Sequence, residues 1–126
     1  MANFRTFENQ LKSYLNGRIR NPNDAPALMR KYNNIRFAMD HKKYDRPHFI
    51  VRLGISEATF DIDSGIMISG GLGQETSEIR NWIGKYLKKT EMKAIWQSEY
   101  KAYQLQKENE ERMAELAKQK KENNQQ

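Results

Sequence analysis

The sequence predicts an α+β fold: an N-terminal helix, a small antiparallel β-meander of about four strands, and two C-terminal helices packed on one face, the last of them extended. Apolar residues show helical spacing near both ends of the chain, whereas between Ile35 and Ile68 they fall at every second position. These periods are typical of amphipathic helices and of strands with one dry face. The strands are joined by short turns. They must therefore be antiparallel, because parallel neighbours need crossovers of about a dozen residues or more.

The N-terminal residues predict a helix, and a second, short helical segment follows it. The apolar face of the first helix recurs every three or four positions: Phe4, Phe7, Leu11, Tyr14 and Leu15. Gly17 is placed to end this helix. The turn at residues 21–24 leads into the second segment, which Asp24 is expected to cap and which ends near Asn33.

Four strands are predicted around residues 35–39, 49–53, 58–62 and 66–68. The side chains expected on their dry face are Ile35, Phe37, Met39, Phe49, Val51, Leu53, Ala58, Phe60 and Ile62. Turn residues of hairpin length lie between successive strands, including Gly54 and Gly65.

The C-terminal half predicts two helices after a flexible connector at residues 69–73. Thr76 or Ser77 is expected to cap the first, whose apolar stripe comprises Ile79, Trp82, Ile83, Tyr86 and Leu87. Thr90 is expected to begin the second. We therefore expect one α+β domain over residues 1–105 and a charged helical extension over 106–126, whose last residues, 121–126, are loose.

The composition excludes several classes of protein. There is no cysteine among the 126 residues, which excludes disulfide folds, thiol nucleophiles and cysteine-ligated metal sites. Apolar runs are far shorter than the ~20 residues that a membrane-spanning helix needs. The N-terminal residues show no signal-peptide pattern. We expect a cytoplasmic protein that has no membrane contact, no cofactor and no metal.

Positive charge is concentrated in the first half of the chain. The whole chain carries 22 Lys and Arg against 16 Asp and Glu, a net charge of +6. Residues 1–56 hold 11 basic and 4 acidic residues, a net of +7, whereas residues 57–90 and 91–126 have net charges of −1 and zero. A clustered positive field of this kind attracts polyanions.

The first half also supplies a candidate nucleic-acid surface. Its residues are Tyr32, Arg36, Lys42, Lys43, Tyr44, Arg46 and Arg52. The cations would contact phosphates, and Tyr32 or Tyr44 would stack on bases. By alternation, Arg36 and Arg52 point away from the dry face of the sheet and can share a solvent-facing surface. The alternative is a solvated basic edge that discourages aggregation of sheets.

His41 and His48, with Asp40 and Asp45 nearby, form a second candidate site. A histidine near pKa ~6.5 beside cations suits phosphodiester cleavage, so His48 is a weak catalytic candidate. The surrounding lysines argue against a bound metal ion. The alternative is a structural histidine hydrogen-bonded to a turn.

A motif within residues 43–100 resembles a known family. Residues 47–52 read Pro-His-Phe-Ile-Val-Arg and residues 57–62 read Glu-Ala-Thr-Phe-Asp-Ile; Gly65, Gly70, Trp82 and Trp96 follow. This pattern is similar to a family of short uncharacterised bacterial proteins with a Pro-His-x-His-Val strand motif, often encoded near toxin–antitoxin-like genes. The resemblance implies a sheet with helices and a nucleic-acid-related or regulatory role.

The chain departs from that motif at two of its three histidines. His48 is retained, while Tyr44 and Ile50 occupy the other two histidine positions and Arg46 replaces the first proline. If relatives use these histidines for metal binding or catalysis, the resemblance does not extend that use to this chain.

Three functions follow as hypotheses. The first is a small, basic, non-enzymatic module that contacts RNA, DNA or a nucleic-acid-bearing complex in a bacterial or mobile-element regulatory system. The second is a phage-type protein-interaction element, an inhibitor or structural accessory, that binds a protein partner through the helix at 106–126. The third is a toxin-like ribonuclease that uses His48 with Lys43 or Arg46.

Overall fold

The computed structural model describes residues 3–123 and confirms the predicted α+β class. The helices are α1 (Phe4–Asn16), α2 (Ala25–Asn33), α3 (Thr76–Lys85) and α4 (Lys89–Asn123). The strands are β1 (Ile35–Ala38), β2 (His48–Leu53), β3 (Ser56–Asp61) and β4 (Met67–Gly71). They form one sheet in the order β1-β2-β3-β4, and every neighbouring pair is antiparallel, as a meander requires.

Helix α1 is capped at its start and covers one edge of the sheet. The Asn3 side-chain oxygen accepts a hydrogen bond of 3.0 Å from the backbone N–H of Thr6, which satisfies one of the free amides of the first turn. The helix buries Phe7, Leu11 and Leu15. Glu8 accepts a hydrogen bond of 2.7 Å from the backbone N–H of Phe37 in β1. Because this contact occupies an outward-facing amide of an edge strand, it protects that edge from pairing with another chain.

The sheet has one apolar and one polar face. The apolar face forms the core together with buried residues of α1 and α3; its side chains are Ile35, Phe37, Phe49, Val51, Leu53, Ala58 and Phe60. The opposite face, here called the outer face, carries the alternate residues: Arg36, Ala38, His48, Ile50, Arg52, Glu57, Thr59, Asp61 and Ser69. Successive residues of β2 lie on opposite faces of the sheet. One set therefore packs in the core, and the other lies on the outer face.

The predicted fourth strand was placed too early. It runs from Met67 to Gly71, so residues 69–71 are part of the sheet and not of a flexible connector. The register shifts beside Thr59 and Phe60, where a bulge lets the strand continue. Gly70 has a φ of +78°, and a Cβ there would collide with the backbone oxygen of Glu57. Glycine is required at this position because the two strands approach so closely.

Two predicted helix caps differ in the structure: Asp24 occupies the N-cap position of α2 without a capping hydrogen bond, and the predicted cap of α3 is wrong. Pro26 occupies the first turn of α2. Neither Thr76 nor Ser77 caps α3, because a single 3₁₀ turn at Gly73–Glu75 leads into the helix and the Gly73 carbonyl accepts the Thr76 amide. The Thr76 hydroxyl instead accepts a hydrogen bond from the Leu72 backbone N–H at 3.0 Å.

The chain divides into two compact units, the first ending at Trp96 and the second beginning at Gln97. The sequence had placed this boundary between residues 105 and 106. In the first unit, the beginning of α4 buries Met92 in the core. In the second unit, α4 exposes Leu105, Met113 and Leu116. The predicted looseness of residues 121–126 stays a prediction, since 124–126 lie outside the described residues.

Candidate nucleic-acid interface

Two arginines lie opposite one another on the outer face. Arg36 of β1 and Arg52 of β2 are paired residues in the register, and both side chains are exposed. The Arg36 Nη1 donates a hydrogen bond of 2.7 Å to the Ile35 carbonyl. The Arg52 Nε donates to the Glu57 carboxylate at 3.2 Å, in an ion pair that is more than half exposed on both sides. Like charges directly opposite on a sheet are unfavourable, and Glu57 offsets part of that repulsion.

The loop between β1 and β2, residues 39–47, presents two further cations. The Asp40 carboxylate accepts hydrogen bonds from the backbone N–H groups of Lys42 and Lys43, at 3.2 and 3.0 Å. This local turn leaves both lysine side chains exposed. The Lys43 Nζ lies 5.5 Å from the centre of the Tyr44 ring, within the range of a cation–π contact.

His48 fastens this loop to the sheet. The imidazole is fully buried on the outer face. Its Nε2 accepts a hydrogen bond of 2.9 Å from the Asp40 backbone N–H, so Nδ1 carries the proton and donates to the Arg46 carbonyl at 2.7 Å. Burial lowers the pKa of His48 and outweighs the opposing effect of the Arg46 carbonyl. The neutral imidazole therefore holds the two ends of the loop together, and both of its nitrogens are engaged.

Arg46 is tied to a buried carboxylate. Its Nε and Nη2 both donate to Oδ2 of Asp61, the former at 2.9 Å, and Asp61 lies opposite His48 in the register. The other Asp61 oxygen accepts from the backbone N–H and the hydroxyl of Ser64, at 2.7 and 2.9 Å. Burial alone would raise the pKa of Asp61, but the hydrogen bonds from Ser64 and Arg46 hold it below its ordinary value. The charge of Arg46 is thus paired within the fold.

A cavity of about 300 Å³ lies between the loop and the outer face. The polar residues that line it include Lys43, Tyr44, Arg52, Glu57, Thr59 and Ser69. The Tyr44 and Ser69 hydroxyls are 2.5 Å apart. Hydrogen bonds with Ser69 and then Thr59 lower the pKa of the Tyr44 hydroxyl. Glu57, Thr59 and Ser69 were not among the candidate residues predicted from the sequence, although alternation along β3 places Glu57 and Thr59 on the same side of the sheet.

Only some of the residues predicted for the nucleic-acid surface lie together in the structure. Arg36 and Arg52 share the outer face, Lys43 and Arg52 line the same cavity, and Lys42 is exposed beside Lys43.

The other predicted residues have different roles. Arg46 is bound to Asp61, as described above. The Tyr44 ring lies 5.0 Å from the His48 ring, and its hydroxyl is held by Ser69.

Tyr32 does not belong to this surface. Only 6% of the residue is exposed, because α2 packs its ring into the core. Burial, together with the charges of Glu75 and Glu78, raises the pKa of its hydroxyl. A ring enclosed in this way is not available to stack on a base, and the sequence-based expectation for Tyr32 is corrected.

Two searches of the described part of the chain, and a comparison of the chain with known proteins, found no matches. Among these residues no three His, Asp or Glu side chains are grouped so as to hold a metal ion. None of the described helices combines the length and apolar character needed to cross a membrane. Comparison of the chain with protein-family models, with curated proteins and with solved structures finds no match.

Proposed function

We propose that the chain is a small, non-enzymatic binding module whose outer face contacts the phosphates of a nucleic acid. Arg36 and Arg52 supply the central contacts, and Lys42 and Lys43 supply further ones from the loop. Exposed cations on a rigid strand pair suit this task, because phosphate contacts depend on charge placed at fixed positions.

The pairing of Arg36 with Arg52 is the observation that carries this proposal. Two like charges directly opposite on neighbouring strands are unfavourable. A polyanion that lies across both strands would remove this repulsion. The repulsion between the two arginines in the free protein therefore favours formation of the complex.

The state of His48 favours binding over catalysis. A general acid or base must exchange a proton with a substrate at a free nitrogen. In this fold Nε2 is bonded to Asp40 and Nδ1 to Arg46, both through the backbone. The histidine thus acts as a structural link, and the ribonuclease hypothesis would require it to break one of these bonds.

The test is the salt dependence of binding to short RNA and DNA oligonucleotides, measured by fluorescence anisotropy between about 50 and 300 mM salt. Affinity should fall linearly on a logarithmic scale. The Arg36→Glu/Arg52→Glu variant should reduce the magnitude of the slope by about 1.4 for a single strand, since each lost phosphate contact contributes roughly 0.7.

The matched control is Arg5→Glu/Arg80→Glu, which makes the same change in net charge at exposed positions of α1 and α3. These helices lie on the apolar side of the sheet, so the control should keep the slope of the unchanged protein. Binding that does not depend on salt, or an equal loss in both variants, would contradict the proposal.

A second candidate function rests on the exposed apolar stripe of α4. Leu105, Met113 and Leu116 are 54%, 67% and 53% exposed, and the first two line a shallow depression on the helix surface. We propose a second copy of the chain as the occupant. Residues 108–115 contain four Glu and one Arg, whereas 118–121 contain three Lys. Residues 91–126 as a whole have no net charge, so two copies of this helix can approach each other without net repulsion.

Sedimentation equilibrium tests this candidate. The unchanged chain should form dimers as its concentration rises, and the Leu105→Ser/Met113→Ser/Leu116→Ser variant should stay monomeric. The Lys43→Glu variant should dimerise normally, since its substitution lies outside α4. A chain that remains monomeric at every concentration would exclude self-association.

A further inference from the structure

The cavity on the outer face has a size that limits what can enter it. Its volume is about 300 Å³, at the lower end of the range of roughly 300–1,000 Å³ found for small-molecule sites. Arg52 lines the cavity and is paired with Arg36, so the cavity opens beside the proposed phosphate contacts. It therefore offers room for a single nucleobase next to the nucleic-acid backbone.

The lining offers both hydrogen-bond donors and acceptors. Arg52 and Lys43 donate, the Glu57 carboxylate accepts, and the hydroxyls of Thr59 and Ser69 can do either. The lining contains Asp40 and Glu57 beside Lys43 and Arg52, so it has no net positive charge with which to hold a bare anion. The ligand must instead combine donors and acceptors in one polar edge. Nucleobases have this property, whereas a phosphate group offers mainly acceptors.

The aromatic ring of Tyr44 lies beside the same cavity. Tyr44 lines the cavity, and its hydroxyl is fixed by Ser69 at 2.5 Å, which holds the ring in one orientation. Because the His48 ring lies 5.0 Å from this ring and the Lys43 ammonium lies over it, Tyr44 forms a fixed wall of the cavity and not an open stacking face. The Lys43 ammonium beside the ring would contact the adjoining phosphate.

We propose that this cavity takes one unstacked base of a single-stranded nucleic acid whose phosphates lie on Arg36 and Arg52. The inference rests on the proposed function and specifies its ligand. A base in a duplex is stacked and paired, and it has to leave both interactions before it can enter a pocket. The protein should therefore prefer a single strand to a duplex of the same sequence.

The test compares single-stranded RNA, single-stranded DNA and the matching duplexes with the unchanged protein and with a Thr59→Val/Ser69→Ala variant. The unchanged protein should bind single strands at least about tenfold more tightly than the duplexes, a difference of about 1.4 kcal/mol. The Thr59→Val/Ser69→Ala variant should lose the preference for single strands over duplexes. The slope of its salt dependence should equal that of the unchanged protein. Tyr44→Phe provides a second variant that keeps the ring but removes its hydroxyl, and it should weaken single-strand binding without affecting duplexes.

The outcomes separate this inference from the proposed function. Salt-dependent binding with equal affinity for single strands and duplexes would overturn the base pocket and leave the phosphate surface intact. Absence of binding to every oligonucleotide would overturn both. Titration of the labelled protein with a nucleoside monophosphate should shift the NMR signals of Thr59 and Ser69. Equal shifts with inorganic phosphate would show an anion site and contradict the proposal.

Discussion

The two faces of the sheet bury different kinds of side chain, and different interactions stabilise them. On the apolar face, Phe49, Val51 and Phe60 are fully buried without any polar group among them. On the outer face, His48 and Asp61 are also buried, but every buried polar atom described above has a hydrogen-bond partner. One face is stabilised by the removal of apolar area from water, the other by satisfied polar contacts.

The outer face is itself divided into two ends. At one end, the buried His48 and Asp61 hold the loop, and the Arg46 guanidinium is paired with Asp61 while its side chain stays 55% exposed. At the other end, Arg36 and Arg52 are exposed. Formal charge alone therefore does not identify a binding surface. Of the three arginines on this side of the sheet, Arg46 is already paired with a buried carboxylate. Substitutions at each end, and on the apolar face, test whether these regions differ in this way.

The largest effect is expected on the apolar face. Phe49→Ala should reduce the free energy of unfolding by about 3–5 kcal/mol, because it removes a fully buried ring and leaves a cavity. Lys42→Ala on the exposed loop should change it by no more than about 0.5 kcal/mol. Urea denaturation measures both. A similar small change for both variants would contradict the placement of the core.

At the closed end of the outer face, His48→Ala should cost about 2–4 kcal/mol, since it removes two hydrogen bonds and buried volume. The stability should also depend on pH. The pKa of His48 lies below its ordinary value of 6.5 in the folded protein, so as the pH falls below about 6.5 only the unfolded chain gains this proton.

The free energy of unfolding should accordingly be highest above that pH. It should decrease as the pH falls from 6.5 toward the lower folded pKa, by at most about 1.4 kcal/mol per pH unit. His48→Gln should lack this decrease. Identical pH profiles for His48→Gln and the unchanged chain would show that His48 is not the group responsible.

A smaller loss is expected for Arg46→Ala, about 1–3 kcal/mol, because the Asp61 carboxylate then lacks one of its partners. The pKa of Asp61 is depressed in the folded chain, so its contribution is present above its ordinary value of 3.8 and is lost as the pH falls through the folded pKa. In Arg46→Ala the folded pKa of Asp61 should move back toward 3.8, so this acid-induced loss of stability should be smaller than in the unchanged chain. The measurement is urea unfolding at a series of acidic pH values.

Much of this arrangement could be predicted from the sequence, because alternation is a local signal. The spacing of Ile35 and Phe37 placed Arg36 on the opposite face, and the same argument applied to Arg52 between Val51 and Leu53. Short turns then required antiparallel neighbours, so the meander followed without knowledge of any contact.

The remaining features depend on contacts between distant residues. Asp61 meets Arg46 only because the β2–β3 register brings it beside His48. Tyr32 lies in a short helix, and its burial results from tertiary packing that the local pattern does not show. Gly70 is part of a strand because its backbone approaches Glu57, a reason that involves the neighbouring strand.

Under the proposed function, Arg36 and Arg52 serve binding and not stability. The most direct measurement uses one variant, Arg36→Glu, and two readouts. Replacing an arginine opposite Arg52 by an acidic residue removes repulsion, so the free energy of unfolding should rise by about 0.2–1 kcal/mol. Affinity for a single-stranded oligonucleotide at low salt should fall, and so should the magnitude of its salt slope. An Arg36→Glu protein that binds as tightly as the unchanged chain would contradict the account.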